Sequence, residues 1–423
     1  MPHLQTMRTL KVLISSIALL SAVSFEAQAT DGYFAHGYGM KSKGMGGVSA
    51  ALAQDAFGGA NNPSSLVWAG DRLELGLDYF QPDRQATFSP APGFDIKSES
   101  KSSSFLIPEI AYSKAISDDL AWGVTIYGNG GMNTDYRAVE NLLGPNVNNI
   151  LGGSTDLGVD LTQLLIAPTI SKAINADHAV GISLLIAGQR FQVKGLQAFA
   201  GFSSDPSRLT NNGYDTSYGI GVRLGYIRHI NDQVDFGASY APKINMSEFD
   251  DYAGLFAEQG DFDIPSHYSL GFAYRPNNQL LVAVDFERIN YSDANSVGFP
   301  SSVPGPLGAD VAPGFGWNDV SVWKLGTQYQ INDQLTLRAG YNHTENPIEP
   351  ADVTFNILAP GVVESHFTLG LSYKTESGNE WTLAYMNALN NEVRGARPAV
   401  FGGGEDRISM SQDSFGVQYS FGF

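Results

Sequence analysis

The sequence predicts an all-β protein: a transmembrane antiparallel β-barrel of about 14 strands with an N-terminal plug in its lumen. Three observations predict this fold. Apolar residues alternate with small or polar residues in segment after segment, the chain ends in such a segment, and residues 30–70 lack the alternation. Because successive side chains of a strand point to opposite faces, each alternating segment has one apolar and one polar face.

Residues 1–29 are predicted to be a signal peptide. Arg8 and Lys11 precede an apolar run at residues 12–25, and Ala27-Gln28-Ala29 supplies the small residues that a signal peptidase requires. The run is too short to cross a bilayer as a helix, although a retained membrane anchor is the alternative. The chain has 0 cysteines, which suits an exported protein that needs no disulfide.

The composition agrees with a barrel in an outer membrane. Glycine is frequent, with 47 residues, and aromatic residues make up 11% of the chain, as tight turns and aromatic girdles require. Beyond residue 29 no apolar run is long enough for a transmembrane helix. The formal net charge of −18 argues against nucleic acid as a partner.

Residues 71–423 are predicted to form the barrel. The alternation is clear, for example, in Leu73 to Tyr79, Tyr218 to Tyr226 and Phe367 to Tyr373. Candidate strands begin near residues 72, 104, 120, 156, 178, 216, 233, 264, 279, 320, 334, 363, 380 and 411. A soluble β-sandwich would alternate in the same way. Long strands tipped with aromatic residues, and tight turns that alternate with long loops, favour the outer-membrane barrel.

The chain ends in an alternating strand whose last residue is Phe423. A barrel needs such a strand for closure, because an open edge in lipid would leave backbone groups without partners. An ordinary terminal strand is the alternative.

Residues 30–70 are rich in glycine and alanine and cannot supply a barrel strand. We expect them to form a plug whose backbone bonds to the polar barrel wall. A flexible periplasmic tail is the alternative, since chain termini are often loosely held.

The run from Gly39 to Ala56, followed by Asn61-Asn62-Pro63-Ser64, resembles the N-terminal hatch of the long-chain fatty-acid transporter (FadL) family. That family usually has Asn-Pro-Ala where this chain has Asn62-Pro63-Ser64. The resemblance continues through residues 123–136, 249–265 and 323–347. It implies a monomeric fourteen-stranded barrel of the bacterial outer membrane, with a hatch, for fatty acids or for toluene and similar hydrocarbons. It also implies contact with outer-membrane lipid, and recognition of the terminal Phe by the barrel-assembly machinery.

Gly128-Asn129-Gly130-Gly131 interrupts an otherwise strong strand. Glycines inside a strand indicate a bulge or kink. In the family the third strand kinks inward, so the resemblance implies that these four residues line a lateral exit into the membrane. A simple bulge without an opening is the alternative.

Two long loops, residues 195–215 and 247–263, carry apolar and aromatic side chains. The first has Leu196, Phe199 and Phe202, and the second has Phe249, Tyr252, Leu255 and Phe256 at spacings that suit one helix face. Exposed aromatic residues need a partner, which is either a ligand or the other loop. The resemblance implies a low-affinity capture groove formed by both loops.

We expect Phe34, Met40, Met45 and Phe57 to line an inner pocket, because Met suits a loosely selective apolar site. The resemblance implies that movement of the hatch opens this pocket. Arg223 and Arg338 lie on predicted lumen faces, where either could bind a fatty-acid carboxylate or pair with lumen Asp or Glu. The choice between fatty acids and uncharged hydrocarbons therefore stays open.

No catalytic residue, metal site or cofactor is predicted. GxSxG, HExxH and Walker patterns are absent, and the 7 histidines are scattered. We expect an isolated residue such as His366 to be a buried polar side chain. The main hypothesis is a gated channel for hydrophobic compounds, which are its small-molecule partners. The alternatives are an aqueous porin or structural surface barrel, and an outer-membrane lipase.

Overall fold

The computed structural model describes residues 30–423. The predicted signal peptide lies outside the described residues. A single antiparallel sheet dominates the fold. Its strands are β1 (Arg72–Ala91), β2 (Phe94–Glu99), β3 (Phe105–Ser117), β4 (Leu120–Tyr136), β5 (Leu157–Ala173), β6 (His178–Lys194), β7 (Asp215–Asn231), β8 (Val234–Ala241), β9 (His267–Tyr274), β10 (Leu280–Ile289), β11 (Val320–Gln330), β12 (Leu335–Thr344), β13 (Ser365–Lys374), β14 (Glu380–Ala396) and β15 (Glu405–Gly422).

The sheet closes on itself. β1 pairs with β15 from Arg72↔Gly422 to Ser89↔Glu405, and every other barrel strand pairs with its neighbours along the chain. Within residues 30–423, β2 pairs only with the outer part of β1, so the ring contains the fourteen strands β1 and β3–β15. The predicted fourteen-stranded barrel is confirmed, because a sandwich would leave strand edges open.

The predicted strand positions agree with the structure, with one clear exception. The last strand begins at Glu405 rather than near residue 411, because it extends well beyond the apolar belt. β2 was not predicted. Its residues are largely exposed, and the alternation of Phe94 and Ile96 with Asp95 and Lys97 is too short to predict a strand.

The two faces of the barrel differ as the alternation predicts. On β1, Leu75 and Leu77 are exposed on the outside, whereas Glu74 and Asp78 are buried inside. The outer surface therefore presents apolar side chains to lipid. Aromatic residues cluster where the tight turns lie: Tyr112 contacts Trp122 and the terminal Phe423, with ring centroids 5.2 Å and 5.9 Å apart.

Helices are short. The α-helices are Met40–Lys43, Leu66–Ala69, Ala257–Gly260, Asn295–Gly298 and Val353–Asn356. The 3-10 helices are Phe57–Gly59, Pro63–Ser65, Gln197–Phe202, Pro206–Arg208, Asp250–Tyr252, Tyr291–Asp293, Pro350–Asp352 and Ala399–Phe401. Within residues 30–423, no helix has the length and apolar character needed to cross a membrane.

Residues 30–70, which we call the N-terminal segment, contact inward-facing side chains on many strands. Hydrogen bonds join the segment to Glu109 of β3, Asp285 of β10, Thr368 of β13 and Gln418 of β15. These strands lie on opposite sides of the ring. The segment therefore crosses the interior of the barrel.

Candidate functional site

β4 is irregular at the glycine-rich run. Its pairing with β5 shifts register between Gly128 and Gly130, which leaves Asn129 as an extra residue. The bulged Asn129 is fully buried, and its amide donates to the Gln163 side chain on β5 at 3.0 Å. The predicted interruption of the strand is thus a β-bulge.

The barrel wall loses hydrogen bonds beside this bulge. β3 and β4 pair only from Ser117↔Leu120 to Ile110↔Ile126. Beyond that point residues 105–109 of β3 continue to pair with β1, whereas no strand of the described residues pairs with residues 127–134 of β4 on that side. We call this interruption of the wall the window.

The N-terminal segment covers the free edge of β4. Ala35 donates its backbone N–H to the carbonyl of Asn129 at 3.2 Å, and Gly131 donates to the carbonyl of Tyr33 at 3.0 Å. Phe34 forms an isolated antiparallel bridge with Gly130. Three residues of the segment thus take the place that β3 vacates.

Arg84 of β1 lies at the outer end of the window. Its guanidinium donates to the carbonyl oxygens of Ser102 and Asn133, and so connects the loop before β3 to β4. Further out, Lys101 donates its backbone N–H to Asp135 at 2.8 Å, which closes the wall again. The window is therefore bounded on its extracellular side.

Buried ion pairs hold the first half of the N-terminal segment. The Lys43 ammonium lies 2.8 Å from Asp78 of β1 and also contacts Glu109 of β3. Lys41 pairs with Glu380 of β14 at 2.7 Å. Such pairs are costly to break, because removal of one partner leaves an uncompensated buried charge.

Asn62 and Pro63 hold the second half of the N-terminal segment against the barrel wall. The Asn62 amide donates to the carbonyl of Ala50 at 2.7 Å and to Tyr226 at 3.1 Å, while its oxygen accepts from the Ser64 backbone at 3.1 Å. A Cβ at Gly225 would lie 2.7 Å from the Pro63 ring. The pair therefore fixes the segment against the wall.

The expected lining of the inner pocket is only partly correct. An interior cavity of about 450 Å³ is lined by Phe34 but has a largely charged and polar surface, with Arg223, Asp285, Glu287 and Lys324. Met40, Met45 and Phe57 are buried elsewhere. Met40 packs on Gly416, and Met45 joins a small cluster with Val48, Ala51, Leu52, Ala273, Leu281 and Ala283. These long side chains fit close to the wall because glycines there lack a Cβ.

Arg223 and Arg338 lie inside the barrel as predicted, and both are buried. Arg223 donates to the carbonyls of Gly59 and Ala60, and lies 2.9 Å from His267. Arg338 donates to Gln328 at 2.9 Å and to Ser372 at 2.6 Å. Among the described residues, neither arginine lies within ion-pair distance of an Asp or Glu. The alternative that they pair with carboxylates of the lumen is therefore wrong.

The extracellular loops pack into one aromatic cluster. Phe249, Tyr252 and Phe256 surround Phe191 of β6, with ring centroids 5.4 Å, 4.8 Å and 4.7 Å away. The predicted single helix face is wrong: a 3-10 turn at Asp250–Tyr252 is followed by extended backbone at Phe256. The sharp turn of the loop over Phe191 replaces a continuous helix.

A cavity of about 570 Å³, partly open to solvent, lies beneath these loops. Four of the predicted capture residues line it: Leu196, Phe199, Leu255 and Phe256. Phe249 and Tyr252 pack behind the lining, and Phe202 is 41% exposed on the far side, against Phe401.

Sequence reasoning missed several residues of this cavity. Val159, Phe191 and Val193 reach it from the barrel wall, and Phe315, Phe355 and Leu358 reach it from later loops. The inward positions of β5 and β6 could have been found by following the alternation to the outer ends of those strands. The later loops carried no such signal.

The sequence and the fold were compared with known proteins. The model of the family described as "Outer membrane protein transport protein (OMPP1/FadL/TodX)" matches residues 12–420. The chain is 22% identical to the long-chain fatty acid transport protein of Escherichia coli K12, over 84% of this chain and 86% of that protein.

Solved structures show the same fold. The toluene transporter TodX of P. putida aligns with a TM-score of 0.68 and 23% identity, over 92% of this chain and 99% of that one. A FadL homologue from Pseudomonas aeruginosa aligns with a TM-score of 0.70 and 17% identity, over 93% and 100%. The Ralstonia pickettii toluene transporter TbuX gives 0.64 and 19%, over 92% and 99%.

Proposed function

Because the chain belongs to the outer membrane protein transport family (OMPP1/FadL/TodX), whose members include fatty-acid and toluene transporters, we propose that it takes up hydrophobic small molecules. The chain is a barrel of the bacterial outer membrane. In this proposal the barrel acts alone, as a monomer, and uptake is passive. Its substrates are long-chain fatty acids or hydrocarbons, and its function requires no cofactor and no catalytic step.

Capture takes place in the cavity beneath the extracellular loops. Its lining is almost wholly apolar, with Leu196, Phe199, Leu255 and Phe256 among its walls. Transfer of an apolar ligand from water into such a site gains roughly 0.8 kcal/mol per buried CH₂. That gain is enough to concentrate a hydrophobic molecule at the mouth of the barrel without an energy source.

Exit takes place through the window into membrane lipid. The observation that carries this proposal is the pairing of residues 33–35 with the free edge of β4. In the proposal this stretch is the movable part of a hatch, and the ion pairs of Lys41 and Lys43 keep the remainder in place. Detachment of the stretch would open the window without unfolding the barrel.

The alternative of an aqueous porin has less support, because the N-terminal segment occupies the interior. An open porin needs a continuous polar channel, whereas the cavity beneath the loops is apolar and shares no lining residue with the polar cavity beside the N-terminal segment. Contact with outer-membrane lipid and recognition of Phe423 by the barrel-assembly machinery are part of the proposal but do not distinguish the two functions.

Uptake by intact cells tests the proposal. A strain that lacks its own transporters of this class, with and without the protein, would receive radiolabelled toluene and oleate. We expect faster uptake of at least one compound and little steady ion current in planar bilayers. A large steady current with no gain in uptake would establish the porin instead.

A further inference from the structure

Three polar groups lie together beneath the extracellular cavity. On β5 and β6, the inward pairs Val159↔Val193 and Leu161↔Phe191 are followed, one step towards the periplasm, by Gln163↔Gln189. Tyr33 of the N-terminal segment lies beside them, at the level of the bulge. We call Tyr33, Gln163 and Gln189 the polar floor. The polar floor lies between the capture cavity and the window, so an inference about it rests on the proposed function.

Each residue of the polar floor has one polar atom that lacks a hydrogen bond of ordinary geometry to any described residue. Gln163 accepts from Asn129 at 3.0 Å, and Gln189 donates to the carbonyl of Phe262 at 3.1 Å. Within residues 30–423, no hydrogen bond of ordinary length and angle reaches Gln163 Nε2, Gln189 Oε1 or the Tyr33 hydroxyl. All three side chains are at most 3% exposed. Buried polar groups are nearly always hydrogen-bonded, so a ligand that supplies the missing partner would be favoured here.

The surroundings of the polar floor are apolar or acidic. The Tyr33 ring lies 6.2 Å from Phe262 and 5.7 Å from Trp317. Burial raises the pKa of Tyr33, the Gln163 side chain within hydrogen-bonding reach of the Tyr33 hydroxyl lowers it, and the Asp263 carboxylate raises it further. Asp263 pairs with Lys243 at 2.6 Å, and no cation is among the groups that shift the Tyr33 pKa, so a carboxylate ligand would find no charge partner here. An uncharged oxygen would meet an amide donor and an amide acceptor, side by side.

We propose that the polar floor binds the hydroxyl or carbonyl group of an uncharged hydrophobic substrate, such as a phenol or an alcohol. A hydroxyl matches the floor best, because it accepts from Gln163 Nε2 and donates to Gln189 Oε1 at the same time. The apolar body of the substrate remains in the cavity, against Val159 and Phe191. The transporter thereby distinguishes oxygenated compounds from hydrocarbons of the same shape.

Hydrogen bonds within the floor are the competing use of these atoms, since Gln163 is directly opposite Gln189 in register and lies within hydrogen-bonding reach of the Tyr33 hydroxyl. In that case the floor would be satisfied and would not discriminate. A site that uses its hydrogen-bonding groups for a hydroxyl, by contrast, rejects the analogue that lacks it. The two possibilities therefore differ in ligand preference.

Three probes of similar shape test the inference: p-cresol, toluene and p-toluate. Binding of each to the full chain in lipid nanodiscs would be measured by equilibrium dialysis and corrected for empty nanodiscs. We expect p-cresol to bind about tenfold more tightly than toluene, and p-toluate to bind least. Gln163→Leu and Gln189→Leu should each remove the preference while toluene binding stays the same. Gln330→Leu, at the periplasmic mouth, is the control and should keep the preference.

Equal binding of p-cresol and toluene, or a preference that survives both Leu substitutions, would overturn the inference. Tighter binding of p-toluate would overturn it as well. If none of the probes binds, the inference fails, whereas the proposed function is decided separately by the uptake of toluene and oleate. The comparison of probes on the unmodified protein decides the matter even if a Leu variant does not fold, as judged by its heat-modifiable migration in gels.

Discussion

Gly131 donates its backbone N–H to the carbonyl oxygen of Tyr33 at 3.0 Å, and this bond joins the window edge of β4 to the N-terminal segment. A strand edge in lipid requires a partner for every backbone polar group. Here the partner is a short stretch of irregular chain instead of a full strand. The wall is thus closed at this point by contacts that are few enough to break.

Gly128→Val is expected to reduce uptake several-fold. A Cβ at Gly128 would lie 3.5 Å from the Ile107 side chain, so the larger valine fills the space between β3 and β4. The barrel should still fold, because β-branched residues suit strands. Uptake of labelled substrate by cells checks this. Gly188→Val on β6 is the control, since its Cβ would make only ordinary contacts with Tyr218 at 3.8 Å. Equal uptake by a well-folded Gly128→Val protein would exclude the window as the exit.

Gly130→Val should have the opposite effect. A Cβ at this position would lie 2.0 Å from the carbonyl oxygen of Tyr33, so the side chain forces residues 33–35 away from β4. We expect greater leakage of hydrophobic antibiotics into cells, together with faster hydrogen exchange of the Ala35 amide. If leakage falls instead, residues 33–35 are not the part of the segment that closes the window.

Lys43→Met is expected to release the N-terminal segment. The substitution removes the ammonium group from between Asp78 and Glu109, at a cost of about 3–5 kcal/mol. Proteolysis of the segment and ion current in planar bilayers should both increase. Glu109→Gln in the same chain should restore part of the docking, because one buried charge is then removed. Lys101→Met is the matched control, since Lys101 pairs with Glu99 at the surface, 3.8 Å away. A segment that stays protected in Lys43→Met would show that other contacts hold it.

Phe199→Ala and Phe202→Ala should differ, although both residues lie in the same 3-10 helix. Phe199 lines the extracellular cavity, whereas Phe202 is exposed on its far side. Loss of the Phe199 ring removes about 1–2 kcal/mol of apolar contact, or roughly tenfold in ligand affinity. Phe202→Ala should leave affinity unchanged. Titration of both variants in nanodiscs would show this, and equal losses would place the ligand outside the cavity.

The loop of residues 247–263 should pack less stably as the pH rises. Burial, the Asp263 carboxylate and then Glu258 raise the pKa of Asp261 from 3.8 to about 8. The folded loop therefore holds this proton more tightly than the unfolded loop does. Its stability is greatest below pH 3.8, falls as the pH rises, and stops changing above about pH 8.

Hydrogen exchange of this loop at several pH values measures the effect. The amides of this loop should have higher protection factors in Asp261→Asn than in the unmodified protein at pH 9, and these factors should change little with pH. Because Asp261 is only partly buried, solvent screening keeps the effect small. The same rate of exchange in both proteins at every pH would remove Asp261 as the cause.

The strands could be predicted because lipid imposes a strict period of two on the outer face. Leu75 and Leu77 follow this pattern, and the same pattern gave the positions of the fourteen strands. The bulge at Asn129 could also be predicted, because three glycines inside a strand indicate a bulge or kink. The segment that pairs with the bulge could not be predicted. Tyr33 and Phe34 have no periodic pattern, and they meet β4 almost a hundred residues later in the chain.

The inner pocket illustrates a different difficulty. Met40 was assigned to the pocket on the chemistry of its side chain alone. Its real position depends on Gly416, whose missing Cβ makes room for the Met40 sulfur. That pairing spans most of the chain, so no local rule reveals it. The polar character of the cavity likewise results from inward-facing residues of several strands, such as Asp285 and Lys324, which come together only when the barrel closes.

The anchors of the N-terminal segment have a consequence for the order of assembly. Lys43 binds β1 and β3, Lys41 binds β14, and the Met40 amide donates to Gln418 of β15, 378 residues away in sequence. These strands meet at the seam where β1 and β15 join. The N-terminal segment is synthesised before the strands, but it can dock only after β15 has paired with β1. Contacts between residues so far apart in sequence form late in folding. We therefore expect the N-terminal segment to enter the lumen as the final step of biogenesis, and its docking to indicate that β1 and β15 have paired.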